Sequence, residues 1–289
     1  MPELPEVETI KRGLIRLIRG LSVAAVSFDA QKSFPNSEAD VERFLIGHKI
    51  INIERKGKAL IIELDSGYSL IVHLRMTGQL IYVSASERFA AGHPNDSFLN
   101  ALPDKSTRVI LTFSDGSHLY FNDQRKFGWM RLHPTPAIGE IGFFASLGPE
   151  PLASDFSWQD LKGRLSRRSK TSIKAALLDQ SVIAGVGNIY ADESLYGAKI
   201  HPAAIVGDLK DADIKRLHTS LIDILNLSIS QGGSTDRNYL DAEGKKGNYL
   251  KFARAFRRQG QPCPRCGTPI VKTRVAGRGT HFCPKCQVI

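Results

Sequence analysis

Two neighbouring residues near the start of the chain, Pro2 and Glu3, are of types that can do chemistry together. Removal of Met1 would leave a proline secondary amine beside a carboxylate. An α-amino group titrates near ~7.7–8.0, below the ~10.4 of a lysine, so an appreciable share is neutral and nucleophilic at physiological pH. A terminal amine of this kind can act as a covalent catalyst. The run Pro2-Glu3-Leu4-Pro5-Glu6-Val7-Glu8 also reads as a plain helix start, with proline in the first turn and acids at the positive end of the dipole. Taken alone, the run leaves both readings open.

The four cysteines make a second chemical constellation. They fall as Cys263-Pro264-Arg265-Cys266 and Cys283-Pro284-Lys285-Cys286, with sixteen residues between the pairs. Each Cys-x-x-Cys turn can direct two thiolates at one ion, and two turns complete the four-sulfur tetrahedron of a structural zinc. Disulfides or a redox dithiol are the competing readings. A cytoplasmic chain rarely keeps disulfides, and no thioredoxin-like pattern surrounds the pairs, so one closed, non-catalytic zinc site is expected. Between the pairs, Ile270–Phe282 alternates apolar and basic residues around Gly277-Arg278-Gly279, which predicts a hairpin with Arg278 at its tip. A module this small cannot bury enough apolar surface to fold alone, and metal binding supplies the missing free energy.

The elements that must position these groups follow from periodicity. Residues 5–20 carry Val7, Ile10, Leu14, Leu17 and Ile18 at helical spacing and stop at Gly20. From Val23 to Phe121 the pattern turns strand-like, with hairpins expected at Asp65-Ser66-Gly67 and Ser114-Asp115-Gly116-Ser117, so this part reads as an antiparallel β domain. Residues 84–106 read as a long polar loop between strands. A Pro- and Gly-rich stretch from Pro134 to Ser157 reads as a linker. Helical spacing returns at Trp158–Leu165, Ser172–Leu178, Asp192–Tyr196 and, longest, Asp211–Ser230. The fold class expected is therefore α+β and multidomain. An N-terminal antiparallel β-sandwich with a flanking helix (1–134) leads through a linker (135–157) to a helical module (158–250) and a zinc-ribbon hairpin finger (251–289).

The formal net charge is +10, and residues 245–289 hold eleven Lys and Arg with no Asp or Glu. A second basic run, Lys162, Arg164, Arg167, Arg168, Lys170 and Lys174, lies mid-chain. Nucleic acid is the leading partner for such a pattern, ahead of a generic basic solvated surface or an anionic membrane patch. No apolar run approaches the ~20 residues of a spanning helix, and the start lacks the layout of a secretory signal, so a cytoplasmic protein is expected.

Four separated motifs now coincide: Pro2-Glu3-Leu4-Pro5-Glu6-Val7-Glu8, His73-Leu74-Arg75-Met76-Thr77-Gly78, Gly185-Val186-Gly187-Asn188-Ile189-Tyr190, and Gly277-Arg278-Gly279-Thr280 with Cys283-Pro284-Lys285-Cys286-Gln287. Together, and in this order, they resemble bacterial formamidopyrimidine-DNA glycosylase. The resemblance implies a bifunctional DNA glycosylase and abasic-site lyase of base excision repair, acting on oxidised purines such as 8-oxoguanine and formamidopyrimidines in double-stranded DNA. It implies Pro2 as the nucleophile forming a Schiff base at the sugar C1′, with Glu3 as the adjacent acid/base. Lys58 matches the lysine of β-elimination and Arg278 the arginine of δ-elimination. Met76, Arg125 and Phe127 match the wedge that fills the space of an extruded nucleotide, a step that any enzyme acting on a base inside a duplex requires. Asn188, Lys174 and Lys170 fall where the family binds DNA through a helix–two-turns–helix module. Gln231–Gly247 matches a loop that closes over the flipped base. The resemblance further implies a monomer with one structural zinc, held by Cys263, Cys266, Cys283 and Cys286, and no small-molecule cofactor.

The chain also departs from the family pattern. Ser106 stands where relatives carry a DNA-contacting histidine, Ser169 replaces a lysine, and the 84–106 loop reads as longer than usual. The sequence leaves two alternatives: an endonuclease VIII-like enzyme for oxidised pyrimidines, and a non-catalytic zinc-ribbon protein that binds damaged DNA. Leu4 and the Met76, Arg125, Phe127 set argue against the first.

Overall fold

The structure, a computed structural model, describes residues 2–93, 95–234 and 248–289. It resolves into two compact units. The first runs to Ala145 and takes in Gln231–Ser234 and Asn248; the second comprises Ser146–Ser230 and Tyr249–Ile289.

In the first unit the order is α1 (Leu4–Ile18), β1 (Val23–Phe28), α2 (Glu38–Phe44), β2 (Ile50–Lys56), β3 (Ala59–Leu64), β4 (Tyr68–His73), β5 (Gly78–Val83), β6 (Arg88–Gly92), β7 (Thr107–Phe113), β8 (His118–Asp123), β9 (Trp129–Pro134) and α3 (Gly142–Ala145). Two antiparallel sheets form, one ordered β1-β7-β8-β5-β6 and the other β2-β3-β4-β9. Their inner faces share one core, with Ile53, Leu60, Ile62 and Val72 from one sheet meeting Leu80, Val109, Leu111 and Phe121 from the other. Alternation along each strand dictates this layering, because successive side chains point to opposite faces.

Helix α1 lies on this sandwich through Val7, Ile10, Leu14 and Ile18, all buried at the spacing expected from the sequence. Its start is fixed by a capping box between Glu3 and Glu6, in which the Glu6 carboxylate accepts the Glu3 N–H at 2.9 Å. Gly13 lets the helix press on β6: a Cβ there would fall 2.4 Å from Phe89 Cζ.

Residues 84–106 differ from the long polar loop expected. They contain β6 and a 3-10 turn at Asp96–Phe98, and Phe89 and Phe98 are both buried. The physical reason is the short run Phe89-Ala90-Ala91, which pairs with β5 and buries against α1 despite polar flanks. Ser106 belongs to the same brace. It is buried and donates both its N–H and its hydroxyl to Asp104 Oδ1, each at 2.7 Å. The stretch read as a linker likewise holds a 3-10 turn at Thr135–Glu140 followed by α3.

The second unit contains α4 (Trp158–Ser166), α5 (Ile173–Leu178), α6 (Asn188–Ala198), α7 (Asp211–Ser230) and the hairpin β10 (Val271–Val275) with β11 (Arg278–Phe282). Ser157 caps α4 and Ser172 caps α5. Helix α7 buries Ile214, Leu217, Leu221, Leu225 and Ile229, the stripe its sequence carries. Helix α6 begins at Asn188, four residues before its expected start, directly after the glycine-rich turn. No helix among the described residues is long and apolar enough to cross a membrane.

Candidate functional site

Pro2 and Glu3 sit at the head of α1 and both are buried, Glu3 as the helix N-cap. Glu6 ties this head to a distant segment. One of its oxygens serves the capping box, and the other accepts the Ser234 N–H at 2.8 Å. Gln231–Ser234 thereby reaches the amino-terminal helix, while the rest of the expected closing loop, residues 235–247, lies outside the described residues. Sequence reasoning did not assign Glu6; its signal was its place three residues after Glu3 at a helix start.

Lys58 follows the tight turn at Gly57 and is buried at the start of β3. The adjoining Ala59 pairs with His73 at the end of β4. His73 opens the His73–Gly78 motif. It is buried, its ring faces Trp129 and Phe143, and its Nδ1 accepts the Arg75 N–H at 3.0 Å. Burial, reinforced by the positive charges of Arg75 and Lys58, holds its pKa down at about 3. The imidazole is therefore neutral at physiological pH and adds no charge beside Lys58.

Met76, Arg125 and Phe127 come together from two loops. Arg125 Nη1 lies 3.0 Å from Met76 Sδ, and the guanidinium sits 4.8 Å from the Phe127 ring centroid. Met76 is 41% exposed and Phe127 45%, although both are large and apolar. Two apolar side chains bracketing a guanidinium make a surface that can enter an apolar, hydrogen-bonding stack.

The second unit places the other residues. Arg278 opens β11 and is exposed. Asn188, the first residue of α6, donates through Nδ2 to the Gly279 carbonyl at 3.1 Å. Lys174 departs from the expected DNA contact. It is completely buried, ion-paired to Asp192 at 2.5 Å, and donates to the Gly279 carbonyl at 3.0 Å and to Thr280 Oγ1 at 2.8 Å. An ammonium has three donors, and these contacts occupy three. Lys170, by contrast, is exposed, as is Ser169.

Asp192 and Glu193 went unassigned, and both are fully buried. The second oxygen of Asp192 accepts the His281 N–H at 2.9 Å, so this one carboxylate joins α5, α6 and β11. Glu193 accepts three backbone N–H groups, from Arg254, Ala255 and Phe256, at 2.7–2.9 Å. Burial pushes its pKa up, and those three hydrogen bonds oppose the rise. Adjacent acids on the inner face of an apolar helix were the available signal, since charges are seldom buried unpaired.

The four cysteine sulfurs all lie within 4.8 Å of one another, with Cys263–Cys286 at 3.9 Å and Cys266–Cys283 at 3.5 Å. Zinc–sulfur bonds of ~2.3 Å in a tetrahedron require sulfurs about 3.8 Å apart, so the set fits one zinc ion. Desolvation and the other three sulfurs push the Cys286 thiol up to about 12, so four thiolates need a cation to coexist. Around the ligands, the Tyr196 hydroxyl lies 3.3 Å from Cys263 Sγ, and Arg265 donates to the Tyr196 and Gly197 carbonyls. These contacts fasten the ribbon to α6.

An amino-terminal helix on an antiparallel sandwich, a helical unit and a four-cysteine hairpin define a modular α+β protein with a zinc-ribbon finger. Three family descriptions match it in sequence: the formamidopyrimidine-DNA glycosylase N-terminal domain over residues 1–130, the H2TH domain of the same enzymes over residues 147–239, and the zinc finger found in FPG and IleRS over residues 260–288. The chain belongs to the formamidopyrimidine-DNA glycosylase family. It is 42% identical to the formamidopyrimidine-DNA glycosylase of Pediococcus pentosaceus and 40% identical to that of Pelotomaculum thermopropionicum, each over the whole of both chains. Among solved structures it resembles a Lactococcus lactis FPG mutant in complex with Fapy-dG containing DNA, with a TM-score of 0.87 and 36% identity over the full length of both chains. A MutM protein in complex with carbocyclic 8-oxo-G containing DNA gives a TM-score of 0.86 at 36% identity, again over both full chains.

Proposed function

We propose that the protein is a bifunctional DNA glycosylase and abasic-site lyase of base excision repair. It removes oxidised purines, 8-oxoguanine and formamidopyrimidines, from double-stranded DNA and then cuts the strand. The observation that carries this reading is a likeness running the length of the chain to enzymes seen with Fapy-dG, 8-oxo-G and abasic DNA, with Pro2-Glu3 intact at its head.

In this reading Met1 is removed and the Pro2 nitrogen attacks C1′ of the flipped nucleotide. The N-glycosidic bond breaks, the base departs, and Glu3 moves the proton that the displacement requires. The sugar ring then opens at C1′–O4′, O4′ taking up a proton, to give the iminium, which acidifies the C2′ proton; loss of that proton breaks the C3′–O bond. Loss of the C4′ proton then breaks the C5′–O bond, leaving a gap with phosphate at both ends. Lys58 serves the first elimination and Arg278 the second. A neutral His73 adds no repelling positive charge beside Lys58. Met76, Arg125 and Phe127 fill the space the extruded nucleotide leaves. Lys170 and Asn188 contact phosphate, while Lys174 holds the segment that follows Arg278. Zinc, bound by Cys263, Cys266, Cys283 and Cys286, supplies structural support for the finger. The protein would act in the cytoplasm, as a monomer, at the nucleoid.

Duplexes carrying 8-oxoguanine opposite cytosine, or thymine glycol opposite adenine, test the substrate class. The first should be cut to phosphate-ended products at least about tenfold faster, a preference of about 1.4 kcal/mol in the transition state. Faster cutting of the thymine glycol duplex would overturn the assignment to purines.

A further inference from the structure

The three exposed side chains Met76, Arg125 and Phe127 come from two loops, and a single buried carboxylate links those loops. Asp123 ends β8 and is 1% exposed. Its Oδ1 accepts the hydroxyl of Thr77 and the N–H of Arg125 at 3.2 Å. Its Oδ2 accepts the N–H groups of Phe127 and Gly128, each at 2.7 Å. An ionised carboxylate offers about four acceptor sites, and here four donors use them. The Thr77 hydroxyl also accepts the Arg125 N–H at 3.1 Å, so hydroxyl and carboxylate form one bracket across the loops.

The backbone has been shaped to reach this bracket. Arg75 and Lys126 adopt left-handed φ values of +52° and +55°, a conformation uncommon for residues with a Cβ. Gly128 passes so close that a Cβ there would lie 2.6 Å from Phe121 Cζ and 3.2 Å from Asp123 Oδ2. Asp123 itself is pinned: its N–H donates to the Ser106 carbonyl at 2.8 Å, and its carbonyl accepts from Arg108 Nε at 2.9 Å.

We propose that Asp123 is the positioning residue of the wedge, holding the Met76 loop and the Arg125–Phe127 loop as one rigid body so that all three side chains enter the duplex together. The proposal rests on the reading of Met76, Arg125 and Phe127 as that wedge. Its physical basis is preorganisation. Two independently mobile loops would have to be ordered at the moment of insertion, and that entropic cost would fall on the step that opens the base stack. Asparagine matches the shape of aspartate but replaces one acceptor oxygen with an NH2 group. Placed at Oδ2, that group would face two N–H donors; placed at Oδ1, it would face the Arg125 N–H.

Asp123→Asn tests the bracket from one side, and Thr77→Val tests it from the other without touching the buried charge. Both are compared with Met76→Ala and Phe127→Ala in two assays. The first follows excision of 8-oxoguanine from a duplex, together with 2-aminopurine fluorescence beside the lesion, which rises as the stack opens. The second is borohydride trapping on a single-stranded abasic oligonucleotide, which needs no wedge. Asp123→Asn and Thr77→Val should slow stack opening and duplex excision by about 10- to 100-fold, and at least one of them should trap the single-stranded substrate like wild type. If the two alanine variants slow duplex excision while both bracket variants stay within about twofold of wild type, the positioning role is overturned. Loss of single-stranded trapping in both bracket variants would also overturn it, by showing general damage to the unit. If the alanine variants themselves open the duplex normally, the wedge reading fails instead.

Discussion

A neutral histidine beside a lysine is costly to protonate, and His73 makes that cost measurable. Burial, then the charges of Arg75 and Lys58, hold its pKa at about 3, against about 6.5 in an unfolded chain. The unfolded state therefore takes up the proton first as pH falls. The stability contributed by the neutral ring is whole above about pH 6.5 and is lost as pH drops from there towards about 3, by up to about 1.4 kcal/mol per pH unit. In His73→Gln that component of the pH dependence should vanish. Denaturant unfolding at about pH 7 and about pH 5 checks this: the stability advantage of wild type should shrink towards acid pH. A difference that stays constant with pH would contradict a neutral His73. The sequence showed this histidine inside a motif, but not its state, which depends on Trp129 and Phe143 packing against it from far along the chain. Asp123 was hidden for the same reason. An aspartate before a turn is commonplace, and its partner Thr77 lies 46 residues away.

Elements were legible where a pattern was long or a turn had strong chemistry. Helix α7 spans the stretch read from its apolar stripe, and the Asp65-Ser66-Gly67 turn joins the strands expected on either side. Strand β6 escaped because five residues with two alanines carry little alternation, and pairing with β5 decides their state. The helical unit shows a further limit. Resemblance assigned Lys170 and Lys174 alike to DNA, yet one is exposed and the other is locked inside an ion pair joining α5, α6 and β11. The two should respond oppositely to substitution. Lys174→Met leaves Asp192 without its cation and should cost about 3–5 kcal/mol of stability. Lys170→Ala should leave stability within about 0.5 kcal/mol, while weakening DNA binding and reducing the slope of log K against log salt by about 0.9. Unfolding curves and a salt titration of binding check both. Equal effects on stability would refute the distinction.

At the scale of the molecule, the groups with assigned chemistry are divided by sequence between two units. Pro2, Glu3, Lys58 and the proposed wedge residues Met76, Arg125 and Phe127 belong to one; Lys170, Asn188, Arg278 and the cysteine site belong to the other. The basic excess follows the second, whose stretch from Tyr249 to Ile289 holds no acidic residue. Such a distribution suits a polyanion, and phosphate contacts supply affinity without choosing a base. In the proposed reaction the choice of chemistry rests instead on the amine of Pro2. The most direct measurement is borohydride trapping with an 8-oxoguanine duplex, followed by peptide mapping of the adduct. The account predicts a covalent complex joined through the nitrogen of Pro2 in a chain that has lost Met1, absent in Pro2→Gly and strongly reduced in Glu3→Gln. An adduct mapping to a lysine, or no adduct with active wild-type protein, would contradict it.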